Sequence, residues 1–219
     1  MSRIWKWREA EADALFEEAN RLISSGRIIA LPTETFYALA AHPFQEKALE
    51  RLFDIKERPP EKPVLLLIAN PAMLTLVATG LPEPGAALIK NFWPGPLTLI
   101  LSARPELSGR LTGGTGTVGV RQPRQSVTGR LIHFLGHPVT GTSANRSGRP
   151  SLASALEVEE EFGEEVDLIL DAGPCPGGLP STIVDLSRQP PRLVRPGAIE
   201  LARLRDVIPE ILVPVETYG

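Results

Sequence analysis

Residues 138–151, P-V-T-G-T-S-A-N-R-S-G-R-P-S, join a short apolar segment to a run of small polar residues and arginines. The first three residues predict a strand, and the rest predicts a loop at its end. Serine, glycine and asparagine supply small volume and backbone N–H groups, and arginine supplies a fork that fits phosphate or carboxylate. Because α/β proteins place ligand sites where strands run into such loops, the stretch predicts an anion site. A solvated turn is the alternative, and composition alone favours it.

The distribution of charge favours the anion site. The net charge is −3, so the whole molecule is not expected to attract nucleic acid. Residues 104–149 hold seven arginines and one acid, whereas residues 151–171 hold eight acids and neither lysine nor arginine. An arginine-rich segment with many glycines and threonines, in an acidic protein, indicates a local site for an anion.

Bulk composition predicts a protein of the cytoplasm with a large core. The 219 residues are 42% hydrophobic and 22% charged, and no apolar run approaches the ~18 residues of a membrane span. The N-terminus lacks the apolar region of a signal peptide. Cys175 is the single cysteine, which excludes an internal disulfide, and its two flanking prolines favour a structural role over a nucleophilic one. Three histidines without metal-ligand spacing predict no protein metal site, so any metal would arrive with a ligand such as a nucleotide.

Short apolar runs bounded by turn residues alternate with amphipathic segments along the chain. The predicted strands are 27–31, 64–69, 97–103, 117–121, 138–140, 166–170, 183–186 and 192–195. The predicted helices are 8–24, 46–55, 71–79, 84–92, 126–135 and 154–162. This alternation, without repeats or a low-complexity linker, predicts one α/β domain over residues 1–219 with a buried mixed sheet and a single site.

Polar residues at the ends of these elements are the candidate ligand groups. Thr33 and Glu34 follow strand 27–31 and indicate a small-molecule pocket. Thr33 could also cap a helix that begins at Glu34, and the two interpretations are compatible. Lys56 suits the C-terminus of a helix, whereas Arg58 and Lys62 lie on a proline-rich loop that a helix cap does not explain.

Two glycine motifs of nucleotide-binding proteins are rejected. Residues 114–119 match G-x-G-x-x-G by letter, but they precede a predicted strand instead of following one. The P-loop pattern is absent from the sequence. A glycine-rich backbone nest for an anion remains open.

Six blocks of sequence together resemble the YrdC-like family of threonylcarbamoyl-AMP synthases (TsaC), over residues 28–197. The blocks are LPTETFYALA (31–40), KERP (56–59), WPGPLT (93–98), VGVRQPR (118–124), TSANRSGRPS (142–151), and STIVDL (181–186) followed by LVRPG (193–197). The resemblance implies a single YrdC-like domain of α+β type, with a twisted mixed sheet flanked by helices and a concave ligand site.

The implied reaction is that of a nucleotidyltransferase. L-threonine, bicarbonate and ATP, with Mg²⁺, would give threonylcarbamoyl-AMP and pyrophosphate. A separate transferase complex would then modify N6 of adenosine 37 in tRNA, and direct binding of tRNA or other RNA is a further expectation.

The resemblance also implies roles for single residues. The family's K-x-R and S-x-N pairs fall on the expected catalytic residues Lys56, Arg58, Ser143 and Asn145. The residues expected to bind ATP are Arg58, Lys62, Thr117, Ser143, Ser151 and Arg195. The residues expected to bind threonine are Thr33, Arg121 and Ser181. Apart from the resemblance, the glycine and proline content of residues 173–180 alone predicts that this segment is a lid.

The sequence departs from the family pattern at three positions, and two other functions stay open. Ala38 and Glu57 stand where many relatives have glycine, and Leu67 stands where many have a histidine near threonine. One alternative is a YrdC-like paralogue that binds RNA or nucleotide without making the adenylate. The other is a relative that transfers carbamoyl groups.

Overall fold

The core of the chain is built from two mixed β-sheets. The computed structural model describes residues 3–124 and 126–213. Its strands are β1 Arg3–Lys6, β2 Ile29–Leu31, β3 Ala38–Ala40, β4 Leu66–Leu67, β5 Leu97–Ser102, β6 Thr117–Arg121, β7 Val139–Thr140, β8 Thr142–Ser143, β9 Leu168–Asp171, β10 Thr182–Asp185 and β11 Arg192–Arg195. One sheet has the order β1-β9-β2-β3-β8, and the other has the order β11-β10-β5-β6-β4-β7.

The helices pack apolar faces against these sheets. They are α1 Ala12–Ser24, α2 Glu46–Lys56, α3 Glu83–Phe92, α4 Gly109–Thr112, α5 Ser126–Leu135, α6 Ala155–Phe162 and α7 Leu201–Arg205. In α1, for example, Leu15, Ala19 and Leu22 lie on one face and are buried, as the 3.6-residue period requires. Ser154 caps α6 through a capping box with Glu157. Among the described residues, no helix is long and apolar enough to cross a membrane.

The predicted α/β fold, with mixed strands flanked by helices, is confirmed, but its strands are divided between two sheets. Strands β6 and β11 and helix α5 have the predicted bounds. Strand 64–69 is shorter than predicted, because only Leu66–Leu67 pairs with neighbours. Residues 71–79 contain a 3₁₀ helix, Pro71–Leu76, in place of an α-helix. The single domain over residues 1–219 stays a prediction.

The stretch 138–151 crosses from one sheet to the other at Gly141. Strand β7 pairs with β4 in the six-stranded sheet, and β8 pairs with β3 in the five-stranded sheet. The N–H of Gly141 donates to Leu65 O at 2.8 Å, and a Cβ atom there would lie 2.4 Å from Leu67 Cγ. Thr140 Oγ1 accepts from the N–H of Ala41 at 2.8 Å. The crossing therefore needs a glycine, and it brings the polar loop between the two sheets.

Candidate active site

A cavity of about 260 Å³ lies where polar ends of both sheets meet. Its walls include the turn after β2, the strands β5, β6 and β8, and the segment before β10. Eight of the predicted site residues line it: Thr33, Arg58, Thr117, Arg121, Ser143, Ser151, Ser181 and Arg195. The structure thus brings most of the predicted residues together around one space.

Three predicted residues, Lys56, Lys62 and Asn145, lie outside that lining. Lys62 is exposed, and its carbonyl accepts from Arg58 Nε at 3.2 Å. Lys56 lies at the end of α2, as predicted. It is nevertheless buried, with 1% of its surface exposed, whereas a lysine at a helix end is usually in solvent. Its Nζ donates to the carbonyl of Ser143 at 2.6 Å and to that of Asn145. Burial, with the neighbouring Arg58, lowers the pKa of Lys56 from 10.5 to about 7.

Asn145 closes the loop that follows β8. Its Oδ1 accepts from Ser143 Oγ at 2.5 Å and from Ser151 Oγ at 3.5 Å. Its Nδ2 donates to the carbonyls of Arg146 and Arg149, both at 2.8 Å. These bonds hold Ser143 and Ser151 at the cavity wall, so Asn145 orients the two hydroxyls from behind.

Arg121 is the most buried cation of the cavity. Its side chain is 5% exposed, and its Nη1 lies 3.6 Å from Glu34 Oε1 and donates to Thr35 Oγ1 at 3.3 Å. Burial lowers the pKa of Arg121, whereas Glu34 and Cys175 raise it. Within the described part of the chain, Arg121 Nε has no hydrogen-bond partner. The guanidinium therefore has donor capacity left for an anionic ligand.

Arg58 and Arg195 add positive charge on other walls. Arg58 Nη2 donates to Pro63 O at 2.7 Å, and burial lowers the pKa of this arginine. Arg195 Nη2 donates to the carbonyl of Ser181 at 2.8 Å. The pKa of Arg195 is lowered by burial first and by Arg121 second, so the two guanidiniums lie close enough to repel. Converging cations of this kind suit a multiply charged anion.

Hydroxyl groups complete the lining. Thr33 Oγ1 donates to Phe36 O at 2.7 Å and accepts from the N–H of Thr35 at 3.2 Å. No helix begins after Thr33, because this local turn leads into strand β3, so the helix-cap alternative is wrong. Ser181 Oγ lies 2.9 Å from Thr98 Oγ1. Thr98 was not among the predicted site residues, although its hydroxyl in the otherwise apolar start of strand 97–103 was a signal for it.

Arg146 and Arg149, the two arginines of the stretch 138–151, do not line the cavity. Arg146 pairs with Glu165 at 2.5 Å and lies 3.4 Å from Glu161, and Arg149 lies 3.5 Å from Glu161. The acidic segment 151–171 thus neutralises the end of the arginine-rich segment. The charge asymmetry in the sequence reflects, at these two positions, ion pairs between neighbouring segments instead of an anion site.

The loop 173–180 is tied to the core at several points. Tyr37 Oη donates to Gly173 O at 3.1 Å, and the N–H groups of Cys175 and Gly177 donate to backbone carbonyls at 2.7 and 2.8 Å. Leu179, by contrast, is 63% exposed. Burial raises the pKa of the Cys175 thiol to about 11, which disfavours a thiolate nucleophile. A lid made by this loop stays a prediction.

The chain is similar to known proteins over most of its length. Residues 21–197 match the Sua5/YciO/YrdC family model, which is described as "Telomere recombination". The chain is 40% identical over 219 residues to the threonylcarbamoyl-AMP synthase of Pyrococcus abyssi, covering all of this chain and 64% of that protein. It is 36% identical over 197 residues to the threonylcarbamoyl-AMP synthase of Bacillus subtilis, covering 90% of this chain and 57% of that protein.

One solved structure of a similar protein has the same fold as this chain. The crystal structure of Sua5 from P. abyssi in complex with L-threonine superposes with a TM-score of 0.91 at 38% identity. The match covers 97% of this chain and 62% of that one. The chain therefore spans about three fifths of the length of these similar proteins, and it shares their fold over that part.

Proposed function

This chain belongs to the Sua5/YciO/YrdC family, and on that premise we propose that it is a nucleotidyltransferase that makes threonylcarbamoyl-AMP and pyrophosphate from L-threonine, bicarbonate and ATP. The observation that carries the proposal is the cavity itself, where buried Arg121 lies among the hydroxyls and guanidiniums predicted to hold these substrates. An adenylate-forming reaction needs positioned cations and donors, and it needs no protein nucleophile.

The threonine subsite lies, in this proposal, at the buried end of the cavity. Arg121 would receive the substrate carboxylate, because a guanidinium pairs with carboxylate through two parallel N–H bonds. The hydroxyls of Thr33 and Ser181 would orient the rest of the amino acid. Thr35 Oγ1, which accepts from Arg121 Nη1 at 3.3 Å, helps to hold the guanidinium in one orientation.

The nucleotide subsite occupies the other walls. Arg58 and Arg195 would contact the phosphates, and Ser143, Ser151 and Thr117 would line the rest of the subsite. Because the hydroxyl protons of Ser143 and Ser151 go to Asn145 Oδ1, their oxygens would accept hydrogen bonds from ribose hydroxyls. Lys62 is exposed beside Arg58 and would reach the phosphates from the rim. Lys56 and Asn145 act one step back, because their side chains fix the backbone and hydroxyls of the S-x-N turn. Of the K-x-R and S-x-N pairs, Arg58 and Ser143 would thus contact the nucleotide, whereas Lys56 and Asn145 would position them.

The chemistry follows from these positions. The threonine amine takes up the carbon of bicarbonate and water leaves, which gives a carbamate. A carbamate oxygen then attacks the α-phosphorus of ATP, and the bond to pyrophosphate breaks. Negative charge builds up on phosphoryl oxygens in this step, and Arg58 and Arg195 are the groups that would stabilise it.

Mg²⁺ would accompany ATP in this scheme. Among the described residues, no group of three or more histidine, cysteine, aspartate or glutamate side chains could hold a metal ion, and no carboxylate lines the cavity. The hydroxyl-rich lining fits an ion that phosphate oxygens carry and that neutralises part of their charge. The protein's own contribution is then the arginines and hydroxyls.

The biological setting is also proposed. The product would serve a separate transferase complex that modifies tRNA in the cytoplasm, and tRNA itself could contact this chain. We also propose that residues 1–219 form a single YrdC-like domain, because the six sequence blocks all lie within residues 28–197.

Release of pyrophosphate from ATP tests the proposal. We expect release that requires both threonine and bicarbonate, and a loss of about a hundredfold or more in Arg58→Ala and Arg195→Ala. Arg104→Ala is the matched control, since Arg104 is exposed and pairs with Glu106. Folded wild-type protein that releases no pyrophosphate with Mg²⁺ present would refute the proposal.

The two alternatives predict other results in the same preparation. A binding paralogue would show salt-dependent RNA binding that survives Ser143→Ala, without turnover. A carbamoyl-transfer relative would consume carbamoyl phosphate without a need for threonine.

A further inference from the structure

Arg146 lies within the S-A-N-R-S-G loop, yet its side chain points away from the cavity and into a cluster of other elements. The cluster consists of Ile55 at the end of α2, Phe162 at the end of α6, and the acids Glu161 and Glu165. Only 22% of the arginine side chain is exposed. A half-buried guanidinium with this many partners is held in one geometry.

The contacts of Arg146 connect three separate parts of the fold. Nη1 donates to Ile55 O at 2.7 Å, and Nη2 donates to Glu165 Oε2 at 2.5 Å. Nε lies 3.4 Å from Glu161 Oε1, and the guanidinium carbon lies 5.4 Å from the centre of the Phe162 ring. Glu57 Oε1 lies 3.5 Å from Nη1, but Glu57 is 70% exposed and adds little.

Two of these parts lead to residues that line the cavity. The end of α2 leads into Arg58, while the loop of Arg146 carries Ser143 and Ser151. Backbone bonds reinforce the junction, since the N–H of Ser147 donates to Lys56 O at 2.9 Å. The Arg146 side chain is therefore a direct tie, in addition to Lys56, between the helix end that bears Arg58 and the loop that bears the serines.

We propose that Arg146 is a positioning residue for the nucleotide side of the cavity: its fork sets the distance between Arg58 and the two serines without touching the ligand. The inference rests on the proposed function for the identity of the ligand. The residues of the threonine side, Thr33, Arg121 and Ser181, lie on other elements, so the effect of Arg146 is selective for nucleotide.

The test compares three substitutions. Arg146→Gln removes the charge and most of the fork, and Glu165→Gln removes the charge of its best partner. Arg149→Gln is the matched control, because Arg149 is its neighbour in the same loop, is 67% exposed and has one ion pair at 3.5 Å. The measurements are the Kd of ATP by calorimetry, the KM of ATP, the KM of threonine, and urea unfolding.

The expected result is selective. Arg146→Gln weakens ATP binding and raises the KM of ATP by about tenfold, the usual size of an effect transmitted through a neighbouring group. The KM of threonine stays within about twofold of wild type by the same reasoning, and Arg149→Gln changes neither. Glu165→Gln shifts the ATP parameters in the same direction by a smaller factor. If Arg146→Gln does not fold, Glu165→Gln decides alone.

Two outcomes overturn the inference. One is an Arg146→Gln protein, or a Glu165→Gln protein where that variant decides, whose ATP binding equals that of Arg149→Gln. The other is an equal rise in both KM values, which indicates general loosening of the fold. Failure of the proposed function looks different, because the wild-type protein would then release no threonine-dependent pyrophosphate even where ATP binds more weakly to Arg146→Gln.

Discussion

At the scale of single residues, Arg121 and Glu34 form a buried ion pair on which the stability of the site depends. Both side chains are largely buried, and their nearest charged atoms are 3.6 Å apart. Glu34 Oε2 accepts from the N–H of Arg124 at 3.0 Å, while Oε1 has no hydrogen-bond partner among the described residues. Each charge is therefore tolerable in the interior mainly because the other is present.

A double substitution tests this dependence. Arg121→Met should destabilise the protein by about 3 kcal/mol, because it leaves the Glu34 carboxylate buried without its partner. The pair Arg121→Met with Glu34→Gln should recover a large part of that loss. Urea unfolding measures the double variant and each single variant, and a double variant no more stable than the sum of the two single losses predicts would contradict this dependence.

Cys175 gives the pH dependence that belongs to this scale. Burial raises the pKa of its thiol from 9.0 to about 11, so the folded state holds the proton more tightly than the unfolded state. The stability that the folded state gains by keeping this thiol protonated is complete below pH 9, and it is lost as the pH rises through 11. We expect the wild-type protein to lose up to about 2 kcal/mol more than Cys175→Ala over that window.

Thiol reactivity checks the same assignment. At pH 8 the thiol should react with an alkylating reagent far more slowly in the folded protein than in urea. Equal rates in the two states would show that the thiol is neither buried nor raised in pKa. Turnover of Cys175→Ala should match wild type, because no step of the proposed reaction uses this residue.

At the scale of elements, the end of helix α2 contains a residue in an unfavourable conformation. Glu57 has φ of 50° and ψ of 42°, a left-handed conformation in which glycine is favoured. This explains, in physical terms, why glycine suits the position, and the chain accepts some strain there.

Glu57→Gly should therefore stabilise the protein by about 1 kcal/mol. Glu57→Ala is the control, because it removes the same carboxylate and keeps the strain, and it should leave stability nearly unchanged. Thermal unfolding of the two variants distinguishes them. A glycine variant no more stable than the alanine variant would show that the helix end is not strained.

The crossing between β7 and β8 depends on Gly141 for a different reason. A Cβ atom there would lie 2.4 Å from Leu67 Cγ and 2.9 Å from Leu65 Cδ1. Gly141→Ala should destabilise the protein by about 1–3 kcal/mol through overpacking. At Gly129 in α5, an added Cβ atom would have no atom within 4 Å apart from its own helix backbone. Gly129→Ala should therefore be neutral or stabilising by up to about 1 kcal/mol. Similar unfolding midpoints for the two variants would contradict the close packing at the crossing.

The elements that the sequence predicted well are those with local signals. Helix α5 begins at Ser126, as the pattern of polar and apolar residues predicts. Strands β1, β3 and β8 were not predicted. β1 pairs with β9 and β8 pairs with β3, both distant in the chain, whereas β3 has three residues and lies between the nearby β2 and the distant β8. Periodicity cannot identify a two-residue strand, since two residues do not define a period.

At the scale of the whole molecule, the division into two sheets creates the cavity, and no local pattern reveals this division. Most of the residues predicted through the family resemblance line the cavity, but the sequence did not indicate which of their side chains face it. Lys56 is the clearest case, since a lysine at a helix end is expected in solvent, and only contacts with Ser143 and Asn145, far along the chain, bury it.

In the arginine-rich segment 104–149, too, the role of each side chain depends on tertiary contacts. Arg104, Arg110, Arg130 and Arg146 each pair with acids, and of the seven arginines only Arg121 lines the cavity. Counting charges along a segment therefore overestimated the anion site. The partners of a surface arginine are set by tertiary packing, which a linear count does not contain.

In the proposed function, residues of both sheets form one adenylate-forming site. Mass spectrometry of the product made from threonine, ATP and isotope-labelled bicarbonate tests it most directly. The account predicts an adenylate that carries both threonine and the labelled carbon, formed by wild type and by Arg104→Ala and lost in Arg58→Ala. A folded wild-type protein that binds ATP and threonine but yields no labelled adenylate would contradict it.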